Sequence, residues 1–314
     1  MVSGNESRLR WKPREGKVQS TMTAILTRKR FLELATPALC SIAARGQSAD
    51  RLTARQLVER IQRHVGVPWQ SSTVDTFKAG NPDTPLKGIA TTMMATLDVI
   101  ERAARSDKNM VITHEPTFYN HEDNTQSFAG DKVLAAKLDF IARNDMVVWR
   151  FHDHWHARRP DGITTGMAKA LDWEKYRSQE GEGLYDLPPA SLEQMARQVQ
   201  NRLGIRIIRV VGDPAMKVRR IALRPGYSTL AATMRAFAQP DVDVLVIGEA
   251  REWEGVEYTQ DLIAANHRKG LVILGHVMSE ESGMRECAEW LKTFVTEVPI
   301  EFIAAGEPYW MRRS

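Results

Sequence analysis

Residues 88–116, GIATTMMATLDVIERAARSDKNMVITHEP, determine the fold class of this chain. Their apolar pattern predicts a strand, a helix from about residue 92 to residue 105, and a second strand at residues 110–113. Pro116 ends that strand because proline has no backbone N–H to donate to a sheet. A strand, a helix and a further strand of these lengths are typical of a parallel α/β sheet.

The second half of the chain repeats this order in residues 219–250, RRIALRPGYSTLAATMRAFAQPDVDVLVIGEA. A Gly-Met pair also occurs in each half at the expected start of a helix, Gly166-Met167 and Gly283-Met284. We interpret this as a weak internal duplication, and we predict an α/β fold of two related domains. The expected organisation is an N-terminal tail or export signal (1–49), a first α/β portion (50–177), a loop-rich linker (178–190) and a second α/β portion (191–314).

Composition limits the classes of partner. The first 45 residues contain nine Lys or Arg against three Asp or Glu, so the other residues hold 34 basic and 36 acidic side chains. A slightly acidic body argues against a nucleic-acid partner, which requires a sustained basic surface. No apolar run is long enough for an integral membrane segment. The two cysteines, Cys40 and Cys287, are too few for a thiolate metal site, so any metal ligands must be His and carboxylate side chains.

The N-terminal 49 residues have the layout of an export signal. The basic residues Arg28, Lys29 and Arg30 precede a short apolar region and then small residues, as in a twin-arginine signal. The alternative is an uncleaved tail on a cytoplasmic protein. The fold is therefore predicted from the residues that follow this segment.

Polar residues with catalytic potential follow the predicted strands directly. The strand MVIT runs into His114, VVWRF into His152, LVILG into His276 and VLVIG into Glu249. In open α/β sheets, ligands bind beyond the carboxyl ends of the strands, where side chains from neighbouring strands converge. The sequence therefore predicts a polar site at this edge.

The types and spacing of these residues favour a metal site. His276 and Glu280 are four residues apart and can share one face of a helix. His114-Glu115 and the segment HDHWH, residues 152–156, supply further nitrogen and oxygen donors. The set exceeds what one tetrahedral ion needs and suits two adjacent ions, with Zn, Mn, Fe or Co all compatible. A different hypothesis takes His154 and His156 as the metal pair of an amidohydrolase-type barrel.

Several of these motifs resemble those of the NIF-three-like dinuclear metal centre family, some of whose members are named GTP cyclohydrolase type-two homologues. VITHEP resembles the family's strand ending in His-His-Pro, HDHWH its His-Thr-Asn-Leu-Asp stretch, VIGEA its Thr-Gly-Glu turn, and GHVMSE its Gly-His-x-x-(Ser/Thr)-Glu stretch. The likeness covers about residues 53–310 and preserves order and spacing. The resemblance implies two α/β domains in a toroidal homo-hexamer.

Carried over by position, the resemblance implies two divalent ions and these metal ligands: His114, Glu115, His156, His276 and Glu280. Glu115 stands where the family has a histidine and His156 where it has an aspartate, so the donor count and the summed ligand charge are unchanged. His152 or Asp153 is the alternative ligand within HDHWH. Glu249 resembles a residue near the family's site and is a candidate proton acceptor or supporting residue.

Two functions from different classes fit these expectations. The first is a metal-dependent hydrolase that acts through a metal-bridged hydroxide, on a substrate that the resemblance suggests is nucleotide-like. The second is a metal-binding scaffold or metallochaperone without turnover. They differ in whether an open coordination position lies beside a substrate pocket.

Overall fold

The computed structural model describes residues 51–239 and 241–312, and the candidate export signal at residues 1–49 lies outside them. The helices are α1 (Ala54–His64), α2 (Leu97–Arg105), α3 (Lys132–Arg143), α4 (Asp153–Ala157), α5 (Gly162–Leu171), α6 (Leu192–Leu203), α7 (Leu230–Phe237), α8 (Glu257–Ala264) and α9 (His276–Lys292). The strands are β1 (Phe77–Ala79), β2 (Ile89–Thr92), β3 (Met110–Thr113), β4 (Val147–Arg150), β5 (Leu184–Ser191), β6 (Arg209–Val211), β7 (Lys217–Tyr227), β8 (Val244–Glu249), β9 (Gly270–Ile273) and β10 (Ile300–Phe302).

The strands form two five-stranded mixed sheets, which confirms the predicted α/β class. The first sheet has the order β1-β4-β3-β2-β10, and only β1 is antiparallel to its neighbour. The second has the order β5-β7-β8-β9-β6, with a parallel centre and two antiparallel edges. Strands β2, β3, β4 and β9 are buried along their whole length, as expected for parallel strands covered on both faces.

Helix α2 begins later than the sequence predicts. Thr92 ends strand β2, where it pairs with Thr113, and the helix is capped by Thr96, whose hydroxyl accepts a hydrogen bond from Val99 N. β-branched Thr91 and Thr92 are suited to a pleated strand, and Thr96 supplies the preferred N-cap side chain. The predicted start at residue 92 was therefore wrong by about one helical turn.

The segment interpreted as a linker contains regular structure. Leu184–Ser191 forms the edge strand β5, antiparallel to β7. Pro188 and Pro189 lie where the register shifts between Asp186 and Ala190. Proline is tolerated at such an edge irregularity because no ladder hydrogen bond is required there. The prolines that indicated an irregular connection instead mark a break within an edge strand.

Helix α9 packs against both sheets, contacting β2 and β10 of the first and β7 and β8 of the second. It also packs against α5 at the two glycines of the Gly-Met pairs. A Cβ on Gly166 would lie 2.6 Å from Cα of Gly283, and a Cβ on Gly283 would lie 2.5 Å from Cα of Ile163. Both pairs lie inside helices rather than at their starts. They permit the backbone contact that joins the two halves of the fold.

Among the described helices, none has the length and apolar character that crossing a membrane requires. Cys287, a residue of α9, is fully buried and packs in the hydrophobic core.

Candidate metal centre

The strand-end residues converge from both sheets. His114 follows β3 directly, Glu249 is the last residue of β8, and His276 begins α9 shortly after β9. His152 lies between β4 and α4. Parallel pairing in each sheet brings these ends to one edge, and Nε2 of His276 lies 3.5 Å from Oε1 of Glu115 across the two sheets.

Five side chains form one cluster, here called the candidate metal centre: His114, Glu115, His156, His276 and Glu280. Nε2 of His114 lies 3.2 Å from Nε2 of His156 and 3.6 Å from Oε2 of Glu280. Oε2 of Glu280 is 3.2 Å from Nε2 of His276. Two imidazole nitrogens this close to each other need a shared proton or a cation between them.

The donor set fits a divalent cation. Oε2 of Glu280 is buried and has no hydrogen-bond partner among the described residues, although two imidazole nitrogens lie near it. An unpaired buried carboxylate oxygen is costly, and a metal ion would satisfy it. The ligand atoms of His114, Glu115 and Glu280 lie within 4.8 Å of one another, as do those of His114, His152 and His156. These residues could hold a metal.

All three imidazoles of the cluster have their Nδ1 engaged. Nδ1 of His114 donates to the Phe151 carbonyl at 3.1 Å, and Nδ1 of His156 pairs with Oδ2 of Asp161 at 2.8 Å. Nδ1 of His276 pairs with Oε1 of Glu249 at 3.1 Å. Such partners fix ring orientation and leave Nε2 as the ligand atom, the usual arrangement at metal-binding histidines. Glu249 is the residue that the family resemblance offers as a proton acceptor or supporting residue.

The ionisable side chains of the cluster shift one another's pKa values. Burial opposes ionisation of Glu115, but the hydrogen bond from His276 and the nearby positive charges outweigh it and lower its pKa to about 2. Burial disfavours the charged form of His276, yet the adjacent carboxylates of Glu115, Glu249 and Glu280 raise its pKa to about 12. Burial lowers the pKa of His114. The carboxylates around His276 therefore favour its protonated form.

The helical conformation of α4 directs the side chains of HDHWH to different surroundings. His152 and His156 are one turn apart, and both rings lie near His114, with centroids at 4.6 and 4.9 Å. Nε2 of His152 lies 3.7 Å from Oε1 of Glu115, at the border of the cluster. Asp153 is hydrogen-bonded to residues outside the cluster, because its Oδ2 accepts hydrogen bonds from Thr73 Oγ1 and Val74 N.

His154 lies outside the cluster. Its Nδ1 pairs with Oδ2 of Asp75 at 2.7 Å, and its Nε2 accepts a hydrogen bond from Gln70 N at 2.9 Å. The ring also stacks on Trp69. With both nitrogens occupied, His154 cannot pair with His156 as metal ligands, so the barrel hypothesis was wrong.

A cleft of about 980 Å³ opens beside the cluster. It is bordered by Glu115, Glu249 and His276 and by the cationic side chains Lys137 and Arg209. The other wall residues include apolar and aromatic side chains, among them Met93, Leu97, Ile207, Met278, Tyr309 and Trp310. A mostly apolar cleft with a few polar groups is typical of small-molecule sites.

Three residues near the cluster were not anticipated from the sequence. Asp161 orients His156, Arg150 contacts Glu115, and Lys137 borders the cleft. Asp161 had one local signal, since an Asp before Gly-Ile-Thr-Thr is a good helix N-cap. Arg150 and Lys137 had none, because each is recognisable only from what surrounds it.

Gly226 allows the close approach of β7 to the cluster. It has a φ of +77°, and a Cβ there would lie 2.2 Å from Oε1 of Glu280. Only glycine combines this backbone conformation with space for the carboxylate.

Two mixed sheets with imidazole and carboxylate groups between their strand ends define a class of α/β proteins whose site could hold a metal. Within that class, residues 45–308 match the model of the Duf34/NIF3 (NGG1p interacting factor 3) family. The chain belongs to this family, and the resemblance inferred from the sequence is confirmed.

Known proteins agree with this assignment. The chain is 24% identical over 158 residues to the GTP cyclohydrolase 1 type 2 homolog of Clostridium acetobutylicum. This aligned region covers 47% of this chain and only 58% of that relative. Its fold is similar to that of hypothetical protein SA1388 from Staphylococcus aureus, with a TM-score of 0.67, 16% identity, and coverage of 84% of this chain and 100% of that one. The Bacillus cereus protein related to NIF3 gives a TM-score of 0.67 at 13% identity, with coverage of 84% and 100%.

Proposed function

We propose that this protein is a metal-dependent hydrolase whose candidate metal centre binds two divalent ions through its five side chains. The observation that carries the proposal is the buried Oε2 of Glu280, which has no hydrogen-bond partner within residues 51–239 and 241–312 and lies 3.6 Å from Nε2 of His114 and 3.2 Å from Nε2 of His276. Glu280 thereby links a ligand of the first sheet to a ligand of α9. Mixed nitrogen and oxygen donors suit Zn, Mn, Fe or Co.

A pair of divalent ions would supply Lewis acidity toward a carbonyl, amidine or phosphoryl oxygen of the substrate. The protein's own residues bind, orient and exchange protons. His156 and His276 are held in position through Asp161 and Glu249. Glu249 also borders the cleft, and the hydrogen bond from His276 lowers its pKa, so its carboxylate is ionised and supports the orientation of His276.

A nucleotide-like substrate is supported by the composition of the cleft. Arg209 offers positive charge to an anionic group, and Tyr309 and Trp310 offer aromatic faces to a planar ring. The name of the Clostridium acetobutylicum relative refers to a GTP cyclohydrolase. A small molecule with both an anionic and a planar part would use both types of side chain.

The first experiment measures metal per subunit by elemental analysis of untagged protein, together with hydrolysis of a panel of nucleotides and simple esters. We expect about two ions per chain and an activity that a chelator removes and added metal restores. Glu280→Gln should lose both metal and activity. His267→Gln, a change at an exposed histidine, is the matched control and should retain both.

The outcomes separate the two functions considered from the sequence. Metal bound without hydrolysis of any substrate in the panel would favour the scaffold or metallochaperone. Hydrolysis that survives complete metal removal would contradict the proposal. We also propose the toroidal homo-hexamer that the family resemblance implies. Light scattering on the purified chain measures the number of subunits.

A further inference from the structure

Arg150, the last residue of β4, is fully buried beside the candidate metal centre. Its Nε donates to the carbonyl of His114 at 3.0 Å, and its Nη1 donates to the carbonyl of His121. Its Nη2 lies 3.3 Å from Oε2 of Glu115. A buried guanidinium requires acceptors for its donors, and here they come from the segment that carries two of the proposed ligands.

A second carboxylate keeps Arg150 in this orientation. Oδ2 of Asp123 lies 3.7 Å from Nη1 of Arg150 and 3.3 Å from Nζ of Lys78. Oδ1 of Asp123 accepts hydrogen bonds from the backbone N–H groups of Thr117 and Phe118. The guanidinium is therefore held from several sides, so rotation away from Glu115 would leave buried charges unpaired.

The two oxygens of Glu115 consequently have different surroundings. Oε2 is paired with Arg150, whereas Oε1 lies 3.5 Å from Nε2 of His276 and 3.7 Å from Nε2 of His152. A free carboxylate can bind a cation through one oxygen or through both. At this position Oε1 is the oxygen that faces His276 and His152, and Oε2 is the oxygen that faces Arg150.

We propose that Arg150 is a positioning residue that makes Glu115 a one-oxygen ligand and so biases the centre toward Zn²⁺ over Mn²⁺. The inference rests on the proposed function only in requiring that metal binds at this cluster. By occupying Oε2, Arg150 leaves Glu115 one oxygen to donate, so this carboxylate supplies a single donor atom, as an imidazole does. Fewer, nitrogen-rich donors suit Zn²⁺, while carboxylate-rich sites of higher coordination suit Mn²⁺.

The first test uses the wild-type full chain loaded with Zn²⁺ and determines its crystal structure. We expect Glu115 to bind through Oε1 alone, with Oε2 still paired with Arg150. Binding through Oε2 or through both oxygens would overturn this inference and leave the proposed metal centre intact. A cluster that takes up no metal would overturn both.

The second test compares Zn²⁺ and Mn²⁺ affinities by competition titration in Arg150→Met, with and without Glu115→Gln. We expect Arg150→Met alone to lower the ratio of Zn²⁺ to Mn²⁺ affinity by about tenfold. With Glu115→Gln present, the same change should alter the ratio by less than about twofold, since no second carboxylate oxygen remains to be freed. Equal falls in both backgrounds would indicate a general structural role and overturn the inference.

Lys78→Met is the matched control, because it removes a second buried cation that pairs with Asp123. It should leave the affinity ratio unchanged, and a tenfold fall in this variant would count against a specific role of Arg150. If Arg150→Met does not fold, the wild-type crystal structure still decides the question.

Discussion

Asp161 joins His156 to the helix that packs on α9. Its Oδ2 lies 2.8 Å from Nδ1 of His156, and its Oδ1 accepts a hydrogen bond from Thr164 N at the start of α5. One carboxylate thus orients a proposed ligand and caps a helix. The pKa of His156 reflects this arrangement, since burial lowers it but the hydrogen bond and charge of Asp161 raise it overall.

The two roles of Asp161 can be separated by substitution. Asp161→Ser retains a good N-cap but is too short to reach His156, whereas Asp161→Ala loses both interactions. Both variants should bind Zn²⁺ about 10 to 100 times more weakly, as expected when a ligand's supporting partner is lost. Only Asp161→Ala should also lose about 1 kcal/mol of unfolding free energy. Chelator competition and urea unfolding measure the two effects, and wild-type affinity in Asp161→Ser would contradict the orienting role.

The identity of the ligand on α4 is tested by comparing three histidines. His156→Ala should lose bound metal, because its Nε2 lies 3.2 Å from that of His114. His152→Ala should retain most of the metal, since His152 lies at the border of the cluster. His154→Ala should keep its metal and lose stability, because the ring is buried and paired with Asp75. Metal retained in His156→Ala but lost in His152→Ala would transfer the ligand role to His152.

The glycine contact between α5 and α9 should be sensitive to a single methyl group. A Cβ on Gly166 would lie 2.4 Å from the carbonyl oxygen of Ser282, so Gly166→Ala forces the two backbones apart. We expect a loss of about 1–3 kcal/mol in the free energy of unfolding, measured in urea. Ser282→Ala on the facing helix is the control and should change stability by less than about 0.5 kcal/mol. An unchanged Gly166→Ala variant would show that the helices can separate without cost.

Lys137 makes stability depend on pH in the alkaline range. Burial lowers its pKa from 10.5 to about 8, although the charge of Asp123 opposes that shift. Between these values the unfolded chain holds the proton and the folded protein releases it, so this residue's contribution to stability increases with pH. Relative to Lys137→Met, the wild type should gain on the order of 2 kcal/mol between pH 7.5 and 10.

Urea unfolding at several pH values measures this gain. Lys132→Met, which changes an exposed lysine on the same helix, should preserve the wild-type slope. Parallel stability curves for the wild type and Lys137→Met would refute the assignment.

The local parts of this fold followed from local sequence patterns. Alternating strands and helices gave the α/β class, and Thr53 caps α1 as its position before an apolar helical pattern predicts. Residues 178–190 are predicted as a loop-rich linker, and Leu184–Ser191 forms strand β5 within and beside this segment, because a proline in an edge strand has the same sequence signal as one in a loop.

The polar strand ends are likewise recognisable from the sequence, since each histidine or glutamate directly follows an apolar run. Their partners are not. Asp153 and His156 are both plausible ligands by type and spacing, yet Asp153 is occupied by Thr73 and Val74 on a distant segment. Nothing within HDHWH encodes that contact.

The sequence by itself determined the types of element, the donors available to a metal and the family. Only the tertiary structure decided which donors meet, which nitrogen of each imidazole remains free, and that Arg150 is buried against Glu115. The physical reason is the separation along the chain between the residues that interact. Backbone periodicity and capping depend on residues a few positions apart. Burial, pairing of charges and convergence of ligands depend on contacts between residues that are distant in the chain. His114 and Glu280 are such a pair, because they become adjacent only after α9 packs between the two sheets.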